Sequence, residues 1–300
     1  MLRLLRPGAA RAPALRKAAV GSARSGAVRR CSGDAAPAAG LAQTAVPGVL
    51  GIPGGTWGAA PGAPGGGAWG YYVPQGQEVR KVDTSHVSED LAALIQCLKP
   101  ELALPWGFLV RGEDGAASLV DVPFFSPELA ERVRELAPGG LRQLFFTHSD
   151  FVGMAEPEEW RGAFPAVARV AHAADAGGRD FEVLLEGQGP WHVGGFRVDA
   201  APGHTEGSII VSSQARGTTF AGDSMGFWEG AATGYPKMAR FSCRRQARSL
   251  RDFADSAPFF EFWFPGHGLP LRFEGPEDPR AQLYRAAAEL EGAAAHVSAP

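Results

Sequence analysis

Three short phrases near the middle and end of the chain share one construction: Ala201-Pro-Gly-His-Thr-Glu-Gly-Ser208, Phe220-Ala-Gly-Asp-Ser224 and Phe264-Pro-Gly-His-Gly268. Each ends an apolar, β-rich run and delivers one His or Asp from a Gly-containing turn. A fourth phrase, Phe145-Phe-Thr-His-Ser-Asp150, ends another such run upstream. Open α/β sheets collect their ligands just outside the carboxyl ends of strands. The repetition therefore points to a sheet-built domain with one polar rim.

The periodicity supports such a domain from Trp106 onward. Residues 108–112 and 118–122 are short apolar runs split by a Glu-Asp-Gly turn, which predicts a β-hairpin. Ser126 and Pro127 have the chemistry of an N-cap and first helical residue. Leu129, Val133 and Leu136 then fall on one helix face, and Gly139 and Gly140 stop it. Strands follow over 141–147, 168–172, 183–185, 191–200, 208–213, 218–221 and 259–264. Helices are expected over 156–164, 242–255 and 279–291. Hairpins early and β-α-β units late predict an α/β domain over 106–292, two sheets held between outer helices, with 293–300 as a tail.

Upstream the composition changes. The first 33 residues hold eight Arg or Lys and no Asp or Glu, the pattern of an organellar transit peptide, with the mitochondrion favoured over the plastid. Residues 34–76 are dominated by Ala, Gly and Pro and read as a low-complexity linker in which Val46–Pro53 forms one short edge strand. Residues 77–105 read as an insertion without an assigned role. Without the first eight cations, 21 basic residues face 32 acidic ones, a balance of −11 that argues against a nucleic-acid partner. No stretch reaches the ~18 consecutive apolar residues of a spanning helix, so no membrane partner is expected. Cys31, Cys97 and Cys243 are odd in number and scattered, which suggests neither a disulfide framework nor a cysteine zinc site.

His148, Asp150, His204, Asp223 and His267 all lie at or just after predicted strand ends. Imidazole nitrogen and carboxylate oxygen suit zinc, iron or manganese at a site with an open position. An ion held there can bring bound water to a pKa near 7 and polarise a carbonyl. A lone His at a strand end is more often structural, but three with two aspartates, of which His204, Asp223 and His267 stand beside Gly, reverse those odds. His86, His192 and His296 keep the bland reading, and His172 is a candidate to line the same cleft.

From Trp106 to Phe273 the chain resembles the metallo-β-lactamase fold superfamily of metallo-hydrolases. Leu119-Val-Asp121, the T-H-x phrase, P-G-H-T-x-G-S, F-x-G-D and P-G-H-G stand in that superfamily's order. Leu185-Glu-Gly-Gln-Gly-Pro-Trp191 resembles a segment of a divergent plant, algal and bacterial branch whose metal phrase reads T-H-R-D-D-V-A-D-H. The resemblance implies an αββα metallo-β-lactamase-like sandwich. It also implies that His204 serves a first metal, Asp223 bridges, and His267 serves a second.

The chain departs from that pattern at one place. His148 matches the first His of H-x-H-x-D-H, Asp150 stands where the second His would be, and Met154 and Ala155 occupy the positions of the following Asp-His pair. His148, Asp150, His204 and Asp223 suffice for one ion, whereas Asp223 and His267 are too few for a second. The expectation is a hydrolase with one metal ion, zinc ahead of iron or manganese, acting on an ester, thioester or similar acyl bond of a small-molecule substrate. Asp150 and His267 are its candidate catalytic side chains. The alternative is a non-catalytic binding member of the same fold.

Overall fold

The computed structural model describes residues 106–121, 125, 127–154, 157–228, 231–267, 271–273 and 275–297, together with short strands upstream. Most of the first 33 residues and of 77–105, the expected cap Ser126, and Ala155 lie outside the described residues.

The upstream strands are β1 (Arg3–Leu4), β2 (Ala42–Gln43), β3 (Val49–Pro53), β4 (Thr56–Ala59), β5 (Trp69–Val73) and β6 (Arg80–Asp83). The strand expected within 46–53 is thus present as β3, but it is not an edge. It pairs antiparallel with β7 (Trp106–Arg111) over five residues, and β2 pairs on its other side. Further strands, β4 and β5, lie in the Ala/Gly/Pro-rich stretch and form a small sheet with β6 in the segment beyond it. Gly weakens a strand without forbidding one, and flanking pairing overrides that cost.

The remaining strands complete two seven-stranded sheets. One runs β11 (Val183–Leu185), β10 (Ala168–His172), β9 (Leu141–Phe145), β8 (Ala117–Val120), β7, β3, β2. The other runs β1, β19 (Leu271–Arg272), β18 (Phe262–Pro265), β15 (Thr218–Gly222), β14 (Ile209–Ser213), β13 (Phe196–Ala200), β12 (Trp191–Val193). A separate hairpin joins β16 (Gly226–Trp228) to β17 (Ala231–Thr233).

Period-2 alternation sends each strand's side chains to two cores. Phe108, Val110, Val120, Phe145, Val198, Ile209, Val211, Phe220 and Phe264 meet between the sheets. Leu109, Leu119 and Leu144 point the other way, under α1 (Pro127–Leu136), α2 (Ser149–Met154) and α3 (Pro157–Ala163). Ile210, Ala221 and Trp263 likewise pack under α4 (Cys243–Ser256) and α5 (Glu277–Val297). The layers are therefore αββα. Both faces of each sheet are covered, which is why the strands read as apolar runs rather than as alternating ones.

Three expectations are corrected. Residues 191–200 are not one strand but a hairpin, because Gly194 and Gly195 at φ +57° and +85° supply the left-handed pair of a two-residue turn. The last helix runs to Val297, since the alanines after Gly292 continue it. The short helix α2 directly after His148 was not anticipated. Ser242 does cap α4, accepting the Arg245 N–H at 3.2 Å.

One buried cation supports the sheet next to the site. Arg169 on β10 is fully buried and donates to Glu182 at 2.9 Å and to Glu158 at 2.5 Å. The Arg169 hydrogen bonds pull the Glu182 carboxyl down to about 2. Stability from this pair is complete above the unfolded carboxyl value of 4.5 and fades as pH falls toward 2. Glu182→Gln should lower stability by about 1 kcal/mol at neutral pH. In urea titrations across pH, its deficit should shrink steadily below the unfolded carboxyl value; a deficit constant with pH would refute the ionic origin.

Candidate metal centre

Five strand ends meet at one rim. β8 delivers Asp121, β9 delivers Thr147 and His148, β10 leads to Asp175, β15 to Asp223 and β18 to His267. The turn between β13 and β14 adds His204. The two sheets touch here directly, with the Ile209 N–H donating to the Thr147 carbonyl at 2.8 Å. Gly222 makes the closest approach: at φ +49° a Cβ on it would stand 2.1 Å from Thr147 Oγ1. No other residue type fits between Asp223 and the His148 strand.

The donor atoms converge. His148 Nε2 lies 3.7 Å from Asp150 Oδ2 and 3.6 Å from Asp223 Oδ2. His204 Nε2 lies 3.6 and 3.7 Å from the same two oxygens. One donor atom from each of His148, Asp150, His204 and Asp223 falls within 4.8 Å of all the others. Donors bound tetrahedrally at about 2.1 Å would stand roughly 3.4 Å apart, close to this spacing. The separations are too long for hydrogen bonds, and His204 Nε2 is buried with no hydrogen-bond partner. A buried nitrogen without a partner, aimed at two carboxylate oxygens, fits a cation between them. His267 stands beside this group, its Nε2 3.5 Å from Asp223 Oδ2, and is not one of the four convergent donors.

The protonation states agree. Burial, with His204 and Arg240 nearby, pushes the His148 imidazole down to about 4, so it is neutral near pH 7 and keeps a lone pair. Burial would raise the Asp223 carboxyl, but His267, His148 and His204 outweigh it and hold it below its usual range. Burial acts on Asp150 the same way and is likewise outweighed, by His204, His148 and Arg240.

Supporting contacts fix the ligands. Asp121, at φ +54°, is fully buried and accepts the Thr147 N–H at 2.8 Å and its hydroxyl at 2.7 Å. Thr147 Oγ1 is also 2.9 Å from His148 Nδ1. With Asp121 ionised, the Thr147 proton goes to Asp121, Oγ1 accepts from Nδ1, and Nε2 is left free for a metal. Burial works against that state, pushing the Asp121 carboxyl up to about 8. Asp121 is thus a buried support of the His148 turn.

Asp175 was not anticipated. Its carboxylate accepts from the Ser149 N–H at 2.9 Å, the Gly207 N–H at 2.9 Å and the Thr205 hydroxyl, joining the His148 and His204 turns. Ser208 Oγ accepts the Thr205 N–H at 3.0 Å, so Thr205 and Ser208 brace the turn. Asp175 carries no motif. Its one signal is an acidic residue three positions past a strand end in an otherwise apolar context.

Of the other candidates, His172 caps a short 3-10 turn through the Ala174 N–H, and its Nε2 lies 3.3 Å from the Gly187 carbonyl. His192 is exposed on β12. Phe227 packs in the core under α4 and α5. Arg240 precedes α4 and donates to Asp150 Oδ1.

An αββα sandwich with a His/Asp cluster at the sheet rim defines the metallo-β-lactamase fold, and this chain has that fold. The metallo-β-lactamase of Erythrobacter litoralis superposes with a TM-score of 0.53 at 16% identity, over 84% of this chain and 92% of that one. DIM-1 metallo-β-lactamase superposes at 0.55 with 15% identity, over 87% and 100%. FIM-1 from Pseudomonas aeruginosa, in its mono-zinc form, gives 0.50 at 18% identity, over 63% and 85%. No family model and no curated protein matches the sequence.

Asp175→Ala leaves three donors from the two ligand turns without an acceptor and should destabilise the chain by about 3 kcal/mol. Thr205→Val, which removes one of them, should cost about 1 kcal/mol. Equal unfolding midpoints for the two variants would show that Asp175 does not tie the turns together.

Proposed function

We propose that this chain is a hydrolase of acyl bonds, ester or thioester, that works with a single metal ion. The observation that carries the reading is the convergence of His148, Asp150, His204 and Asp223 on one point, with His204 Nε2 buried and unpartnered. Zinc suits this mixed nitrogen and oxygen set, as do iron and manganese. When bound, such an ion activates water and polarises the carbonyl under attack.

The chain's own residues supply the rest. Thr147 and Asp121 fix the ring of His148 through Thr147 Oγ1, while Asp175 holds the His148 and His204 turns at a fixed separation. His267 lies beside Asp223 with part of its ring exposed, where it can donate to an oxyanion on a small-molecule substrate. Asp150, a quarter exposed, can accept a hydrogen bond from water at the mouth of the pocket. The Gly-Asp and Pro-Gly-His turns interlock through the Gly266 N–H, 2.7 Å from the Gly222 carbonyl, which fixes Asp223 against His267.

Met154 and Ala155, at the positions where the related phrase has Asp and His, support one ion rather than two. They also favour the second reading, a non-catalytic binder of the same fold. The Arg-rich, acid-free first segment supports delivery to an organelle, the mitochondrion ahead of the plastid. Among the described residues no helix is long and apolar enough to cross a membrane.

Elemental analysis of the purified chain should find about one ion per molecule, and His204→Ala should lose it. Hydrolysis of model aryl esters and thioesters should fall at least ~100-fold in the same variant. A chain that takes up no metal after zinc, iron or manganese supplementation refutes the reading. One that holds metal but turns over no acyl substrate is the binder.

A further inference from the structure

The pocket gathers the carboxylates of Asp150 and Asp223 around the imidazoles of His148 and His204. Such a cluster repels itself in the metal-free chain unless a cation stands beside it. Among the described residues, the guanidinium that meets the four donors is that of Arg240. Its Nη2 donates to Asp150 Oδ1 and lies 3.4 Å from Ser149 Oγ. The other oxygen, Oδ2, is the one that faces His148 and His204 at 3.7 and 3.6 Å.

The arm that carries Arg240 is fixed to the ligand turn itself. The Arg240 N–H donates to the His204 carbonyl at 3.0 Å, and the Phe241 N–H lies 3.2 and 3.3 Å from the carbonyls of Gly203 and His204. The Ser242 N–H donates to the Gly203 carbonyl at 3.0 Å, one residue before α4 begins. A movement of the His204 turn therefore moves the guanidinium with it. Asp150 needs such a restraint, since its side chain is 25% exposed and has water to turn toward.

We propose that Arg240 is the positioning residue of this centre: by holding Oδ1 it turns Oδ2 of Asp150 to the focus of His148, His204 and Asp223, so that Asp150 enters as a one-oxygen ligand. The proposal rests on the single-metal reading above. The guanidinium charge opposes an incoming cation, but it also offsets the repulsion between Asp150 and Asp223. Without it the Asp150 carboxylate relaxes into water and the centre loses a ligand. Loss of groups that orient ligands in this way lowers metal affinity about 10–100-fold.

The test is a titration of the metal-stripped full chain with zinc and with cobalt(II) against a competing chelator. Arg240→Met should bind about 10–100-fold more weakly, and Arg240→Lys should recover part of the loss because an ammonium can still hold Oδ1. In an Asp150→Asn background Arg240→Met should change affinity less than about twofold, because the two residues act through one contact. The proposal is overturned if Arg240→Met binds as the unaltered chain does, or if the loss is the same in both backgrounds. A chain that binds metal with Arg240 indifferent sinks this inference alone, whereas one that binds none sinks the function as well. Urea unfolding is recorded for each variant, and Arg240→Gln takes the place of Arg240→Met if the latter does not fold.

Discussion

Asp150 and Asp223 direct oxygens at the same two imidazoles in a pocket that is largely closed to water, and most of the rim is arranged around that fact. Isolated buried carboxylates would protonate rather than remain charged. Here they stay ionised because His148, His204, His267 and Arg240 surround them. The His148 imidazole in turn keeps a lone pair because burial works against its charging. Two carboxylates and two imidazoles facing one point make a cation site before any ion arrives.

Holding such a group together is a problem in backbone geometry. The ligands come from three segments on two sheets, so their spacing depends on how the sheets meet. Gly222 lies against Thr147, the Ile209 amide bonds across to the same residue, and Asp175 ties the Ser149 amide to the 205–207 turn. The inter-sheet core of phenylalanines and β-branched residues fixes the distance on which these contacts rely. Stability and function are thus linked through the packed sandwich rather than through any one strand.

The apolar runs that end in His148, Asp223 and His267 were legible in the sequence because a strand covered on both faces is apolar throughout. The phrases at their ends were legible because close backbone approach demands Gly at fixed places. Asp175 and Arg240 were not. A single acidic residue after Ala-Ala looks like any turn residue, and an Arg among Lys237, Arg244 and Arg245 looks like part of a solvated face. Their roles come from partners far away in the chain, Gly207 for one and Asp150 for the other. The turn at Gly194 and Gly195 was visible as two glycines, but its effect of splitting one strand into a hairpin depended on the pairing of Trp191 with Val198.

The sequence by itself determined the αββα layering and the candidates His148, Asp150, His204, Asp223 and His267, because burial pattern and turn chemistry are local properties. Only the tertiary structure decided that four of them share one focus while His267 stands beside Asp223. It also decided that Arg240 turns inward and that Asp175 spans two turns. Those outcomes depend on distances between segments far apart in the chain, which sheet packing sets and local residue pattern does not encode.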